Sequence, residues 1–175
     1  MYRLLSLEKD IFIINCDIFL YTTYFFAFNC LIKLCYLQKV NAVTKKCMID
    51  QLTKARVKFN PNDVLFVTKD KTGQLVWLEK GNKGAELEHI LHGDGRSMGH
   101  ASDFKKALGL EFNQVSGYLQ KVITHGSIVS NTIKPVGNRM GFESVYSNQG
   151  NYYIVTGIGT NGFIISAYPH NKGGK

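Results

Sequence analysis

Cysteine is missing from the chain after position 47. The four present, Cys16, Cys30, Cys35 and Cys47, crowd near the N-terminus, with no Cys-x-x-Cys pair and no zinc-ligand spacing. Neither a metal nor a disulfide is expected, and a Cys-free remainder would fold in either redox compartment. Proline occurs only 3 times and tryptophan once. No repeat or low-complexity block interrupts the sequence, which excludes solenoid and disordered classes. There is no Gly-x-x-x-x-Gly-Lys-Ser/Thr, which excludes a P-loop. No His-Glu-x-x-His run or paired acidic cluster marks a metal hydrolase. Acidic residues are scarce, 13 against 21 Lys and Arg, leaving a net charge of +8 with no basic block. That balance favours a polyanionic partner: nucleic acid, an anionic membrane surface or an acidic protein, among which charge alone does not choose.

What is present suits one domain plus an extension, at 175 residues and 45% apolar composition. We place the boundary between residues 1–48 and 49–175. Ile11–Ile14 and Ile18–Leu37 form a nearly continuous apolar and aromatic run, broken by Asn15, Asp17, Asn29 and Lys33. Its longest uncharged part is shorter than the roughly 20 residues a spanning helix needs. Three readings fit: a weak membrane-active segment, a buried helix, or an extension outside the folded unit, the last favoured by the mismatch in composition. A membrane partner is expected only if residues 11–37 insert, in which case Lys39, Lys45 and Lys46 bias that flank toward the cytoplasm.

From Lys58 the pattern becomes globular. Val64–Thr68 and Gln74–Leu78 read as a hairpin joined through Lys69–Gly73, entered by a turn at Pro61–Asp63, with Trp77 as its core anchor. Helices are expected over Ala85–Leu91, Ala101–Leu108 and Gln114–Thr124. Leu87, Ile90 and Leu91 share the first helix's apolar face and His89 stands off it. Ser102 and Asp103 are the expected caps of the second. Phe104, Leu108, Val115, Tyr118, Leu119, Val122 and Ile123 are the expected core. Strands follow at Ser127–Ser130, Phe142–Tyr146, Tyr152–Thr156 and Gly162–Tyr168, with turns at Asn148–Asn151 and Gly159–Gly162. The Gly-x-Gly-x-x-Gly at 157–162 opens no helix and reads as a turn. The fold class is α+β, with an N-terminal hairpin and helices packed on a C-terminal antiparallel meander.

Three of the five histidines lie between positions 89 and 100, within Glu88-His89-Ile90-Leu91-His92-Gly93-Asp94 and Gly99-His100. Histidine alone has an ordinary pKa that suits both proton acceptance and donation near neutrality. Together with the terminal strand Ser166-Ala167-Tyr168-Pro169 and the run Leu75–Asn82, these segments resemble, in their order along the chain, the EndoU-type endoribonucleases. More broadly they resemble the group that joins barnase, EndoU, colicin-type tRNases and RelE, which recurs as C-terminal domains of bacterial polymorphic toxins. The likeness covers roughly residues 58–170.

The resemblance implies metal-independent RNA cleavage without a cofactor: 2′-hydroxyl attack on phosphorus, leaving a 2′,3′-cyclic phosphate. His89 and His100 would be the proton-transfer pair, with His92 or His125 as the alternative second histidine. Lys121 or Lys134 would be the third cation, Ser166 would help stabilise developing charge, and Tyr168 would stack on a sugar or base. Lys134, Arg139 and Thr160 are the expected substrate contacts. Expected partners are RNA, with tRNA one candidate, and an acidic immunity protein. The protein would be secreted or delivered into a target-cell cytoplasm, or cytoplasmic if not exported. Two other classes remain: a non-catalytic RNA-binding module, and a membrane-associated protein acting through its N-terminal segment.

Overall fold

The computed structural model describes residues 33, 43–81, 86–93, 99–136, 138–147 and 150–173. The apolar run at 11–37 therefore lies outside the described residues, apart from Lys33. Lys45–Lys175 form one compact unit. Among the described residues no helix is long and apolar enough to cross a membrane.

A first helix, described over 43–54 (α1), precedes the hairpin of β1 (Val64–Lys69) and β2 (Leu75–Glu79). Asp70 builds its turn: one carboxylate oxygen accepts from the Thr72 amide and hydroxyl and from the Gln74 amide. The hairpin has two apolar faces. On one, Val64, Val67 and Trp77 pack with Leu52 of α1, flanked by Met48, Ile49, Phe59 and Phe163. On the other, Phe66, Val76 and Leu78 enter the main core. Trp77 is the expected core anchor, edge-on to Phe59 and tilted against Phe163.

Three helices follow, α2 (Glu86–His92), α3 (Ala101–Leu108) and α4 (Phe112–His125). Their apolar stripes place Ile90, Leu91, Phe104, Val115, Leu119, Val122 and Ile123 in the core, with Leu108 and Tyr118 half-buried against it. The meander is β3 (Ser127–Val136), β4 (Arg139–Ser147), β5 (Tyr152–Gly159) and β6 (Ile164–Asn171), in that order and antiparallel throughout. Tyr146, Ile154, Ile158, Ile164 and Ala167 meet the helices. The α+β class and the meander match expectation.

Several elements begin or end at other residues than their sequence pattern predicts. The helix expected to start at Gln114 starts at Phe112, because Glu111 and Gln114 form a capping box, each side chain accepting the other's backbone N–H. The third strand runs on from Ser130 to Val136: it is exposed over most of its length, so no in–out alternation marks it. β4 and β5 likewise extend beyond their expected ends, while β6 begins at Ile164 instead of Gly162 and runs on to Asn171, carrying Pro169 on the sheet's edge, where a missing N–H is tolerated. Neither Ser102 nor Asp103 caps α3. Its N-cap is His100, and Asp103 bonds to the His100 ring.

Two buried polar groups generate predictions. The Tyr146 hydroxyl is buried and, among the described residues, has no well-formed hydrogen bond. Burial and then the nearby Asp70 charge push its pKa up to about 12, with Ser144 opposing. Tyr146→Phe removes that orphan group and should raise unfolding free energy by about 1 kcal/mol, read from urea denaturation. A lower midpoint would contradict the assignment. Glu79 has its carboxyl pKa raised, by burial first, opposed by the Asn60 amide and assisted by the Asp63 charge. The folded state thus binds this proton more tightly than the unfolded chain. The resulting stabilisation is complete below the ordinary carboxyl pKa and is lost as pH rises through the raised one. Glu79→Gln keeps the acceptor without the charge. Its stability relative to wild type should grow between about pH 4 and pH 7, and a constant difference would refute the linkage.

Candidate active site

The histidine segments are joined by a backbone contact. α2 ends at His92 and is followed by Gly93, whose amide donates to the His89 carbonyl and whose φ is 72°. When the chain returns after residues 94–98, which lie outside the described residues, the His100 amide donates to the Ile90 carbonyl at 2.7 Å. Gly99 makes this approach possible. A Cβ there would stand 2.1 Å from the Leu91 carbonyl oxygen and 2.3 Å from the His92 nitrogen. The backbone of His100 is thereby seated on the turn of α2 that carries His89.

The His100 ring is held from two sides. Its Nδ1 lies 2.9 Å from Asp103 Oδ2, and its plane is tilted 32° to that of Tyr168 with ring centroids 5.1 Å apart. An Nδ1–H donating to the carboxylate selects the tautomer and leaves Nε2 for exchange with a ligand. Asp103 is thus a positioning residue that sequence reasoning took for a cap. The i, i+3 spacing of His100 and Asp103 across a helix start is the signal that could have found it.

Ser166 and Tyr168 share one face of β6, two residues apart. Across the sheet, Ser166 pairs with Gly157, Gly157 with Glu143 and Glu143 with Thr132, so these residues form one row on that face. A Cβ on Gly157 would come within 2.6 Å of Ser166 Oγ and 2.7 Å of Val136 Cγ1, so Ser166 and Val136 close over the glycine. Glu143, two strands from Ser166 and so about 10 Å away, forms an ion pair with Lys134.

The remaining expected residues are dispersed. His89 is half-buried on α2. His92 is exposed, its ring edge-on to Phe112 at 5.8 Å and 4.0 Å from Glu88. Lys121 is exposed on α4, which packs against β1, α3 and β4, while Ser166 and Tyr168 stand on β6. His125 is exposed at the other end of α4 from Phe112. Thr160 is exposed in the β5–β6 turn. Arg139 opens β4 opposite Val136, and its side chain lies outside the described residues. The structure therefore brings together His100, Asp103 and Tyr168, with Ser166 beside them on β6 and the backbone of α2 beneath. It does not show Lys121 or Thr160 against this group, and it matches Lys134 to a carboxylate. Among the described residues no three His, Cys, Asp or Glu side chains cluster as metal ligands would.

Gly99→Ala should destabilise the fold by roughly 1–3 kcal/mol, since the clash is with backbone. It should also abolish slow hydrogen exchange at the His100 amide, and retained protection there would show that Gly99 does not seat the loop. No protein-family model matches this chain and no curated protein matches it in sequence, so the site stands on its own geometry.

Proposed function

We propose that the protein is a metal-independent endoribonuclease, built on the EndoU-like pattern that its sequence resembles. The observation that carries this reading is the convergence at His100. Its amide is bonded to the residue after His89, its ring is held by Asp103, and its other neighbour is Tyr168 from the terminal strand. Two neighbouring segments, the end of α2 and the start of α3, and the distant terminal strand thus contribute to one place, in the chain order of the resemblance.

In this reading one imidazole removes the proton of an RNA 2′-hydroxyl. The oxygen attacks the adjacent phosphorus, and the other imidazole, protonated, gives its proton to the departing 5′-oxygen. The products are a 2′,3′-cyclic phosphate and a free 5′-hydroxyl. Asp103 holds the His100 ring through its transfer and stabilises the imidazolium form. Ser166 and nearby backbone N–H groups lower the energy of the charge that develops on phosphate oxygen. DNA lacks the nucleophile and is not cut. The net charge of +8 draws the polyanion in and suits neutralisation by an acidic immunity protein. A toxin delivered into a target cell's cytoplasm, acting on RNA such as tRNA, is the role that this chemistry serves.

The second reading, a non-catalytic RNA-binding module, is favoured by one observation. The cation expected to complete the site is either committed to Glu143, as Lys134 is, or exposed on α4, as Lys121 is. One experiment separates the two. The full chain, with His89→Ala and His100→Ala variants, is incubated with total tRNA in EDTA and the fragment ends are analysed. Wild type should leave cyclic phosphate ends, and each variant should lose about 10²–10⁴-fold in rate. Intact RNA with tight binding by wild type would establish the binding module instead.

A further inference from the structure

Phe112 is an exposed aromatic ring against α2, the helix that carries His89 and His92. It stands at the first position of α4 and continues the helix's apolar stripe, Val115, Leu119 and Val122, beyond the rim of the core. There it remains 49% exposed. Its neighbour is the His92 ring, edge-on, and His92 lies three residues from His89 on the same side of α2. Edge-to-face contact fixes one edge of an aromatic system and leaves a face open.

We propose that Phe112, braced by His92, is the platform on which an unpaired nucleobase of the RNA stacks beside the residues that cut it. This rests on the nuclease reading and adds to it a substrate class: single-stranded RNA, or a loop whose bases can be splayed. Base faces are hidden in an A-form duplex and accessible in single strands, where aromatic side chains take them. The charges around the ring favour a base over a phosphate. Glu88 lies 4.0 Å from His92 Nε2, and Glu111, next in sequence to Phe112, is paired with Lys105 at 3.0 Å. A phosphate placed here would face the carboxylates of Glu88 and Glu111. A neutral base meets no such penalty, and its amino groups can donate to those carboxylates.

The test uses the full chain and labelled 2′-O-methyl oligoribonucleotides of about twelve nucleotides, one for each base, which cannot be cleaved because the nucleophile is blocked. Affinity is read by fluorescence anisotropy, with unfolding midpoints measured alongside. Phe112→Ala and Phe112→Leu should each weaken binding by roughly 5–100-fold, the range for losing one stacked base, while Phe112→Trp should stay close to wild type. With cleavable RNA, Phe112→Leu should raise KM and change kcat little, since stacking binds ground and transition states alike. Wild-type affinity in both the Ala and Leu variants overturns the proposal, as does full affinity in Leu alone, because an apolar contact would then suffice. If wild type binds none of the oligonucleotides and leaves RNA intact, the nuclease reading falls and this inference with it. If His100→Ala abolishes cleavage while Phe112 proves indifferent, only the platform is refuted.

Discussion

One hydrogen bond, from the His100 amide to the Ile90 carbonyl, organises the helical half of this molecule. It closes the loop between α2 and α3 and sets the start of α3, because His100 is also that helix's N-cap, with its carbonyl accepting from the Asp103 and Phe104 amides. The same residue therefore terminates one constraint and begins another. Asp103, one turn on, comes within reach of the ring for that reason alone: helical spacing puts positions three apart on one side. Phe104, buried beside it, anchors the turn in the core. A glycine at position 99 is the steric condition for all of it.

The sheet's contribution depends on a different staple. The Trp77 amide donates to the Gly162 carbonyl, and Trp77 and Phe163 form a short parallel bridge with their rings in contact. β6 thus leaves the β5–β6 turn tied to the hairpin. A bulge then intervenes: Ile158 pairs with Ile164 but Gly157 with Ser166, so Ile165 is the extra residue. The consequence is a change of face. Ala167 goes into the core, and Ser166 and Tyr168 go to the opposite side, because side chains alternate along a strand. Unbroken alternation from Ile164, with Ile165 paired in the ladder instead of bulged, would place Tyr168 in the core and Ala167 on the outer face.

These constraints explain what could be read in the sequence and what could not. The hairpin, α3 and the buried stripe of α4 were legible because each buries one regular face, and a regular face leaves a period. The far half of β3 was not. Asn131, Thr132, Ile133 and Lys134 are exposed on both sides, so polarity there carries no register. The start of α4 was signalled by Glu111 and Gln114, but through capping rather than hydrophobicity. Of the site, the histidines and the terminal Tyr168 were legible as residue types in order along the chain. The link between them was not, since a backbone hydrogen bond has no side-chain signature. Asp103 was misassigned because an acidic residue in a first helical turn serves equally as a cap or as a histidine's partner.

Charge is distributed in a way that bears on how any polyanion would be held. The net excess is large, yet two of the described lysines are locally matched: Lys134 by Glu143 and Lys105 by Glu111. Such exposed pairs contribute little to stability, and a phosphate can compete for the lysine at small cost. Lys134 and Glu143 stand on the same sheet face as Ser166, with Gly157 between them in the row. Ser166 and Val136 cover Gly157, so a phosphate on this face would lie above them, within reach of the Lys134–Glu143 pair. Lys134 could then exchange its carboxylate for the phosphate, and the Glu143 left behind would oppose a second negative charge. Net charge would thus act on a polyanion at a distance, while a phosphate held by Lys134 would first have to displace Glu143.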